Sequence, residues 1–164
     1  MGKRDWGAVG NFSGTFFNKI DKKLRVSVPA AFRDVLEEEG AKSFYLRPSF
    51  VHEAALEGLS PTAMEEARAS LKQLPEFSVE REALATALFG HAMAITWDGE
   101  GRVGIPEALR GFAKITDEVV FVGGGEKFTV WAPEGFAAWS ERSNAINRER
   151  FGIALALRNG GASS

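Results

Sequence analysis

Residues 21–33 and 98–110 are two copies of one pattern, and no other feature of the chain constrains its fold as tightly. The first copy reads Asp21-Lys-Lys-Leu-Arg25-Val-Ser-Val-Pro29-Ala-Ala-Phe-Arg33, and the second reads Asp98-Gly-Glu-Gly-Arg102-Val-Gly-Ile-Pro106-Glu-Ala-Leu-Arg110. Aligned without a gap at an offset of 77 residues, they share Asp, Arg, Val, Pro, Ala and Arg, and exchange Val for Ile and Phe for Leu. Self-similarity of this kind is the mark of one supersecondary unit used twice.

The chemistry of each position says what the unit is. An acidic residue followed by short polar or glycine residues makes a turn, and Arg-Val-x-(Val/Ile) alternates like a short strand. Proline then fixes φ near a helical value and gives up an N–H that the first helical turn leaves unpaired anyway. The helices that follow place Phe32, Val35 and Leu36, or Leu109, Phe112 and Ala113, at the i, i+3, i+4 spacing of one apolar face. The unit is therefore strand–turn–strand–helix. Each unit is too short to cover its own sheet face, so Val26, Val28, Val103 and Ile105 are expected in one shared core about a pseudo-two-fold axis.

The rest of the chain fits around the two copies. A strand is expected over Phe12–Ile20, and the helix of about Pro29–Glu39 should stop at Gly40. Phe44–Leu46 reads as a strand, Arg47-Pro48-Ser49 as a turn, and Phe50-Val51 as the start of a weaker return strand. Ser60-Pro61 opens a helix by N-cap and first-position proline, with a stripe of Met64, Ala67, Leu71 and Leu74, and Pro75 ends it. Ser78 caps a second helix that runs through Leu88 and Phe89 to Gly90. A strand over His91–Trp97 leads into the second copy, and Val119–Val122 and Phe128–Trp131 form a hairpin across three glycines. Pro133 starts a last helix with Phe136 and Trp139 inward. Residues 1–11 are expected to be loose and the tail from Asn159 disordered. The organisation that follows is a first repeat over 12–60, a helical connector over 61–90, a second repeat over 91–136, and a C-terminal helix and tail over 137–164.

Composition narrows the function. The chain has no cysteine, which excludes disulfides and thiolate metal sites and makes the cytoplasm the default reading. No apolar run approaches the ~20 residues of a membrane span, and the N-terminus has no apolar signal region. The net charge of −2 hides an uneven distribution: residues 1–35 carry +4, residues 142–164 carry +3, and the residues between carry −9. A basic face on an acidic body is compatible with nucleic-acid binding.

Two stretches imitate sites. Gly99-Glu-Gly101-Arg-Val-Gly104 fits G-x-G-x-x-G, but a dinucleotide loop must open into a helix, and this one opens into a strand with Pro106 delaying the helix. Gly123-Gly124-Gly125 joins two strands and lacks the Gly-Lys-Ser/Thr of a phosphate loop. His52 and His91 are the only histidines and have no helix-spaced acidic partner, so no metal site is expected. No catalytic constellation, cofactor or small-molecule substrate is indicated.

The two turn arginines have two readings. Each can pair with the aspartate four residues back and brace its turn, a contact between exposed groups that contributes about 0–1 kcal/mol. Each can instead reach a phosphate or a guanine edge. For Arg102 the bracing reading is nearly as good as the other, since Glu100 sits beside it and no lysine does. Lys19, Lys22, Lys23 and Arg25 fall within seven residues, and a phosphate backbone would relieve their mutual repulsion. Lys22 and Lys23 are the candidates to position DNA and Arg25 the candidate to specify it, with Lys19 and Arg102 as further contacts. Arg142, Arg148 and Arg150 read as a solvated helix face.

The doubled Asp-x-x-x-Arg turn with these flanks resembles the MraZ family of bacterial regulators, which are built from two SpoVT/AbrB-type domains. The matching residues are Asp21-x-Lys23-x-Arg25-x-x-x-Pro29, Leu88-x-Gly90-His91-Ala92, Asp98-x-x-Gly101-Arg102-x-x-Ile105-Pro106, and Val122-Gly123 with Trp131 downstream, so the likeness runs from about Phe12 to Trp139. The resemblance implies an α+β fold in which duplicated swapped-hairpin AbrB-like units interleave into one pseudo-two-fold β-barrel with flanking helices. It also implies a homo-oligomeric ring that binds tandem repeats in double-stranded DNA upstream of the protein's own operon of cell-division and cell-wall genes, in the cytoplasm and associated with the nucleoid. Leu24 departs from the family, which usually has glycine before the first arginine; leucine at φ > 0 would cost about 1 kcal/mol or more. The competing reading is a ring-forming interaction protein that does not bind DNA.

Overall fold

The computed structural model describes residues 11–153, so the expectations for residues 1–10 and for the tail from Asn159 lie outside the described residues. Strand β1 (Thr15–Lys19) leads into the first repeated turn, which is followed by β2 (Arg25–Ser27) and α1 (Ala30–Glu38). A hairpin of β3 (Ser43–Pro48) and β4 (Ala55–Leu59) precedes the connector helices α2 (Pro61–Ser70) and α3 (Val79–Ala85). The second half repeats the order with β5 (Met93–Thr96), β6 (Arg102–Gly104), α4 (Glu107–Ala113), β7 (Glu118–Gly123), β8 (Phe128–Trp131) and a long α5 (Pro133–Phe151).

Six strands form an antiparallel sheet in the order β1-β7-β8-β4-β3-β5, and β2 and β6 form a separate ribbon. The strand before each repeated turn pairs with the strand after the helix of the other copy: β1 with β7, and β5 with β3. In the ribbon Arg25 faces Gly104, Val26 faces Val103 and Ser27 faces Arg102. Val26 and Val103 hold the same place in the two copies, so this register is that of a local two-fold axis between them. The sheet's hydrogen bonding does not close on itself, since β1 and β5 stand at its two ends. What is observed is a mixed α+β architecture with an open antiparallel sheet.

The main core lies between one face of the sheet, the ribbon and helices α1 and α4. Val26, Val28, Val103 and Ile105 are buried in it together with Phe12, Phe32, Leu36, Phe44, Leu109, Phe121 and Phe128. The phenyl rings meet largely edge-on, as Phe12 and Phe32 do at 5.3 Å and 79°. Fully burying each such ring stabilises the fold by roughly 1.5–3 kcal/mol. Gly58 makes this packing possible, because a Cβ there would run into the Phe128 ring. On the opposite face, Phe136 of α5 closes over Ala55, Val120 and Trp131.

Local chemistry sets the helix starts as expected. The Ser60 hydroxyl accepts the Ala63 N–H at 3.1 Å, and the Ser78 hydroxyl accepts the Arg81 N–H at 3.1 Å. One stretch differs from expectation. Arg47 and Pro48 belong to β3 rather than to a turn, and the return strand is Ala55–Leu59, not one begun at Phe50-Val51. The chain turns at Ser49 instead, whose hydroxyl accepts the N–H groups of Val51 and His52, both at 3.0 Å. The cause is a buried ion pair: Arg47 lies 3.1 Å from Glu57 across the hairpin and donates to the Leu88 carbonyl at 3.2 Å. Two charged residues that satisfy each other inside a sheet read, one at a time, like surface residues.

Candidate nucleic-acid interface

Both repeated turns have the same backbone. In the first, the Asp21 carboxylate accepts the N–H groups of Lys23 at 2.9 Å and Arg25 at 2.8 Å, and the Leu24 N–H donates to the Asp21 carbonyl at 3.0 Å. In the second, Asp98 accepts from Glu100 at 2.8 Å and Arg102 at 3.0 Å, and the Gly101 N–H donates to the Asp98 carbonyl at 2.9 Å. Aspartate is needed because its short side chain can bend back onto its own turn. The residue before each arginine is left-handed, with φ 62° at Leu24 and 80° at Gly101. The departure at Leu24 therefore does fall at a position that favours glycine.

The ribbon brings the two turns side by side and links their charges. One Asp21 oxygen lies 3.4 Å from Arg25 Nε and 3.6 Å from Arg102 Nη1. One Asp98 oxygen lies 3.6 Å from Arg102 Nε and 3.6 Å from Arg25 Nη1. Each carboxylate thus sits between both guanidinium groups. The Nε atoms of Arg25 and Arg102 are shut off from solvent without a hydrogen bond, so the attraction is that of charges rather than of aligned donors. The carboxyl of Asp21 is held below its ordinary value of 3.8, first by the Arg25 N–H, then by the Lys23 N–H and the two arginine charges. Asp98 is lowered likewise, first by the Arg102 N–H and then by that of Glu100.

Arg25 pairs with the aspartate four residues back, one of its two sequence readings, and its side chain, 31% accessible, also ties its own turn to the other through Asp98. Arg102 is 27% accessible and is further held by Glu100. Lys19, Lys22 and Lys23 are exposed, so the structure separates the proposed cations into three exposed lysines and two braced arginines. At the matching places of the second turn stand Gly99 and Glu100.

Sequence reading missed the last arginine of each copy. Arg33 Nε donates to the Val28 carbonyl at 3.2 Å, and Arg110 Nε donates to the Ile105 carbonyl at 2.9 Å. Each satisfies the carbonyl just before its proline and pins the helix to the ribbon. The signal was present in the alignment, since both copies end in arginine. Arg33 also fills the space beside Gly101, where a Cβ would lie 2.7 Å from its guanidinium carbon. Asn18 completes the support by donating to the Ser27 carbonyl at 2.9 Å.

Gly99–Gly104 leads into β6, with α4 starting only after Pro106. Among the described residues no three or more acidic or histidine side chains are grouped to hold a metal ion, and no helix is long and apolar enough to cross a membrane.

Comparison with known proteins agrees along most of the chain. A family model described as "MraZ protein, putative antitoxin-like" matches residues 88–154. The transcriptional regulator MraZ of Parvibaculum lavamentivorans is 42% identical over 132 residues, covering 80% of this chain and 82% of that protein. Its namesake in Xanthobacter autotrophicus is 42% identical over 130 residues, covering 79% and 82%. The one from Rickettsia bellii is 38% identical over 142 residues, covering 87% and 92%.

Proposed function

The chain belongs to the MraZ family, and from that premise we propose that it is a DNA-binding transcriptional regulator, not an enzyme, whose contact with double-stranded DNA is made by the first repeated turn. One observation carries this assignment: two turns with the same backbone stand together, and only the first carries lysines, which are exposed. Lys22 and Lys23 at its tip and Lys19 at the end of β1 meet phosphates. Arg25, oriented by Asp21 and Asp98, reads a base edge once DNA draws it partly out of its bridge. Arg102 keeps the pair of turns in register and contributes a weaker contact.

The reciprocal strand pairing supports reading the two halves as swapped-hairpin units interleaved about a pseudo-two-fold, with residues 61–90 as a connector. We extend the proposal to assembly. A single basic turn on a protomer of net charge −2 binds one short site weakly. The acidic run Glu37–Glu39 at the end of α1 opposes approach to phosphates further. Useful affinity then requires several protomers on several sites, which a homo-oligomeric ring over tandem repeats upstream of its own operon provides. Linking sites in this way raises avidity by ~10²–10⁴ when the spacing lets them engage together.

A gel shift with the DNA upstream of its own gene tests the assignment. Retardation that weakens steeply as repeats are deleted, and again when their spacing changes by half a helical turn, is the expected result. An isolated repeat bound as tightly as the full array removes the avidity argument, and no retardation removes the assignment.

A further inference from the structure

A cleft opens on the α5 side of the sheet, away from the ribbon that carries the two repeated turns. The loop between β3 and β4 forms one wall and α5 the other, and they enclose an open cavity of about 500 Å³. That size is within the roughly 300–1,000 Å³ of small-molecule sites. Gly135, Ala138, Trp139 and Arg142 line it from one face of α5, at the i, i+3, i+4, i+7 spacing. The first two are small, so the helix leaves the cleft open toward the loop.

The inner wall is aromatic. The His52 ring centroid lies 4.7 Å from that of Trp131 and 4.4 Å from that of Trp139, and the two indoles are nearly parallel at 6.2 Å and 11°. The backbone N–H of His52 is fixed by the Ser49 hydroxyl at 3.0 Å. The Trp131 N–H is spent on the Thr129 hydroxyl at 2.8 Å, whereas the Trp139 N–H meets no acceptor among the described residues. Burial, and next the charge of Arg142, hold the His52 imidazole below its ordinary 6.5, against a smaller opposite pull from Glu57. At neutral pH it is thus a polar but uncharged part of the wall.

Two opposite charges stand at the mouth. Arg142 and Glu53 both line the cleft and both are exposed, yet neither side chain makes an ion pair or hydrogen bond among the described residues. A lone anion drawn to Arg142 would also meet Glu53, and a lone cation drawn to Glu53 would also meet Arg142. A ligand carrying both signs satisfies both, and an aromatic body between them covers the indole and imidazole rings. We propose that this cleft binds the zwitterion of a free aromatic amino acid. Its carboxylate sits on Arg142 and the Trp139 N–H, its ammonium on Glu53, and its ring against Trp139 and His52.

The cleft shares no residue with the candidate DNA interface, so the inference does not depend on that proposal and its test contains no DNA. The probes are L-phenylalanine, 3-phenylpropionate, which lacks the ammonium, and 2-phenylethylamine, which lacks the carboxylate. Binding is followed in the full chain by NMR through the indole N–H signal of Trp139, assigned by its loss in Trp139→Phe. L-phenylalanine is expected to shift that signal and to bind about 5-fold more tightly than either single-charge probe, a modest factor because both charges stand at an open mouth. Arg142→Gln should erase its advantage over 2-phenylethylamine, and Glu53→Gln its advantage over 3-phenylpropionate. Both substitutions are at exposed positions, so the fold is preserved. Ala138→Trp, also at an exposed position, fills the cleft and should abolish binding of all three probes.

No shift of the Trp139 signal by L-phenylalanine overturns the inference. A single-charge probe that binds as tightly makes the cleft an anion or a cation site and overturns it too. So does binding that survives Ala138→Trp, or an advantage that survives both charge substitutions, since the zwitterion would then sit elsewhere.

Discussion

The two repeated turns have one backbone and opposite surroundings. Each is built on an aspartate that accepts two N–H groups, and each carries a left-handed residue before its arginine. The first shows solvent Lys22, Lys23 and a half-exposed Leu24; the second shows Gly99 and Glu100 and buries Gly101 under Arg33. Duplication supplied two equivalent loops, and divergence left one with exposed lysines and the other with a glycine and a glutamate in their places. The lesson is that a motif's backbone chemistry and its binding chemistry are carried by different positions and can part company.

The strongest way to break this comparison is to delete the arginines one at a time. Arg25→Ala should abolish specific DNA binding while the fold survives, since a lost bidentate base contact costs about 1–3 kcal/mol at each site and the loss repeats across an assembly. Arg102→Ala should weaken binding several-fold at most. Equal losses from the two, measured by gel shift or fluorescence anisotropy, would mean that the turns act alike.

Exchanging the left-handed residues comes next. Gly101→Leu should destabilise the protein by about 2 kcal/mol or more, because strain at positive φ adds to a collision with Arg33. Leu24→Gly should stabilise it by up to about 1 kcal/mol, since Leu24 is 51% exposed and little packing is lost. Denaturant midpoints read both. A neutral Gly101→Leu would show that the second turn is not the confined one.

Smaller effects concern charge at the turn tips. Lys22→Ala should weaken binding to all sequences alike and flatten the log–log salt slope by ~0.9 per contact made. Glu100→Lys should steepen it, giving the second turn the character of the first. Titrations at several salt concentrations decide, and an unchanged slope in Lys22→Ala removes that lysine from the interface.

The smallest effect is acid sensitivity. Asp21 and Asp98 titrate below their ordinary value of 3.8 in the folded chain, so they contribute stability above that value and lose it as the pH falls through their lowered one. Between about pH 5 and about pH 3 the wild type should therefore lose more stability than an Asp21→Asn/Asp98→Asn double variant. Parallel acid profiles would show that the bridged carboxylates contribute nothing.

How much of this was legible in the sequence followed the range of the interaction involved. Caps at Ser60 and Ser78, the prolines that open α2 and α5, and the aspartate turns are decided within four residues, and local chemistry gave each of them. The return strand Ala55–Leu59 was not legible, because Glu57 is acceptable there through Arg47, itself misread as part of a turn, and through Lys127, 70 residues away in sequence. The bracing of Arg25 by its own Asp21 could be foreseen from spacing, whereas its bridge to Asp98 needed the ribbon register. The terminal arginines of the two copies were visible as a match but silent as to purpose.

The reciprocal pairing of the strands also sets a timetable. Thr15 pairs with Val122 and Val26 with Val103, so the first strands made during synthesis have no partner until well over half of the chain has appeared. Contacts so far apart in sequence close slowly, because a long loop must be ordered before any of them forms. Until then Phe12, Phe16 and Phe32 can pack on one another but lack Phe121 and Phe128 of the finished core. The same dependence means that a chain cut within the connector should yield two fragments that are each unfolded alone and fold only when mixed.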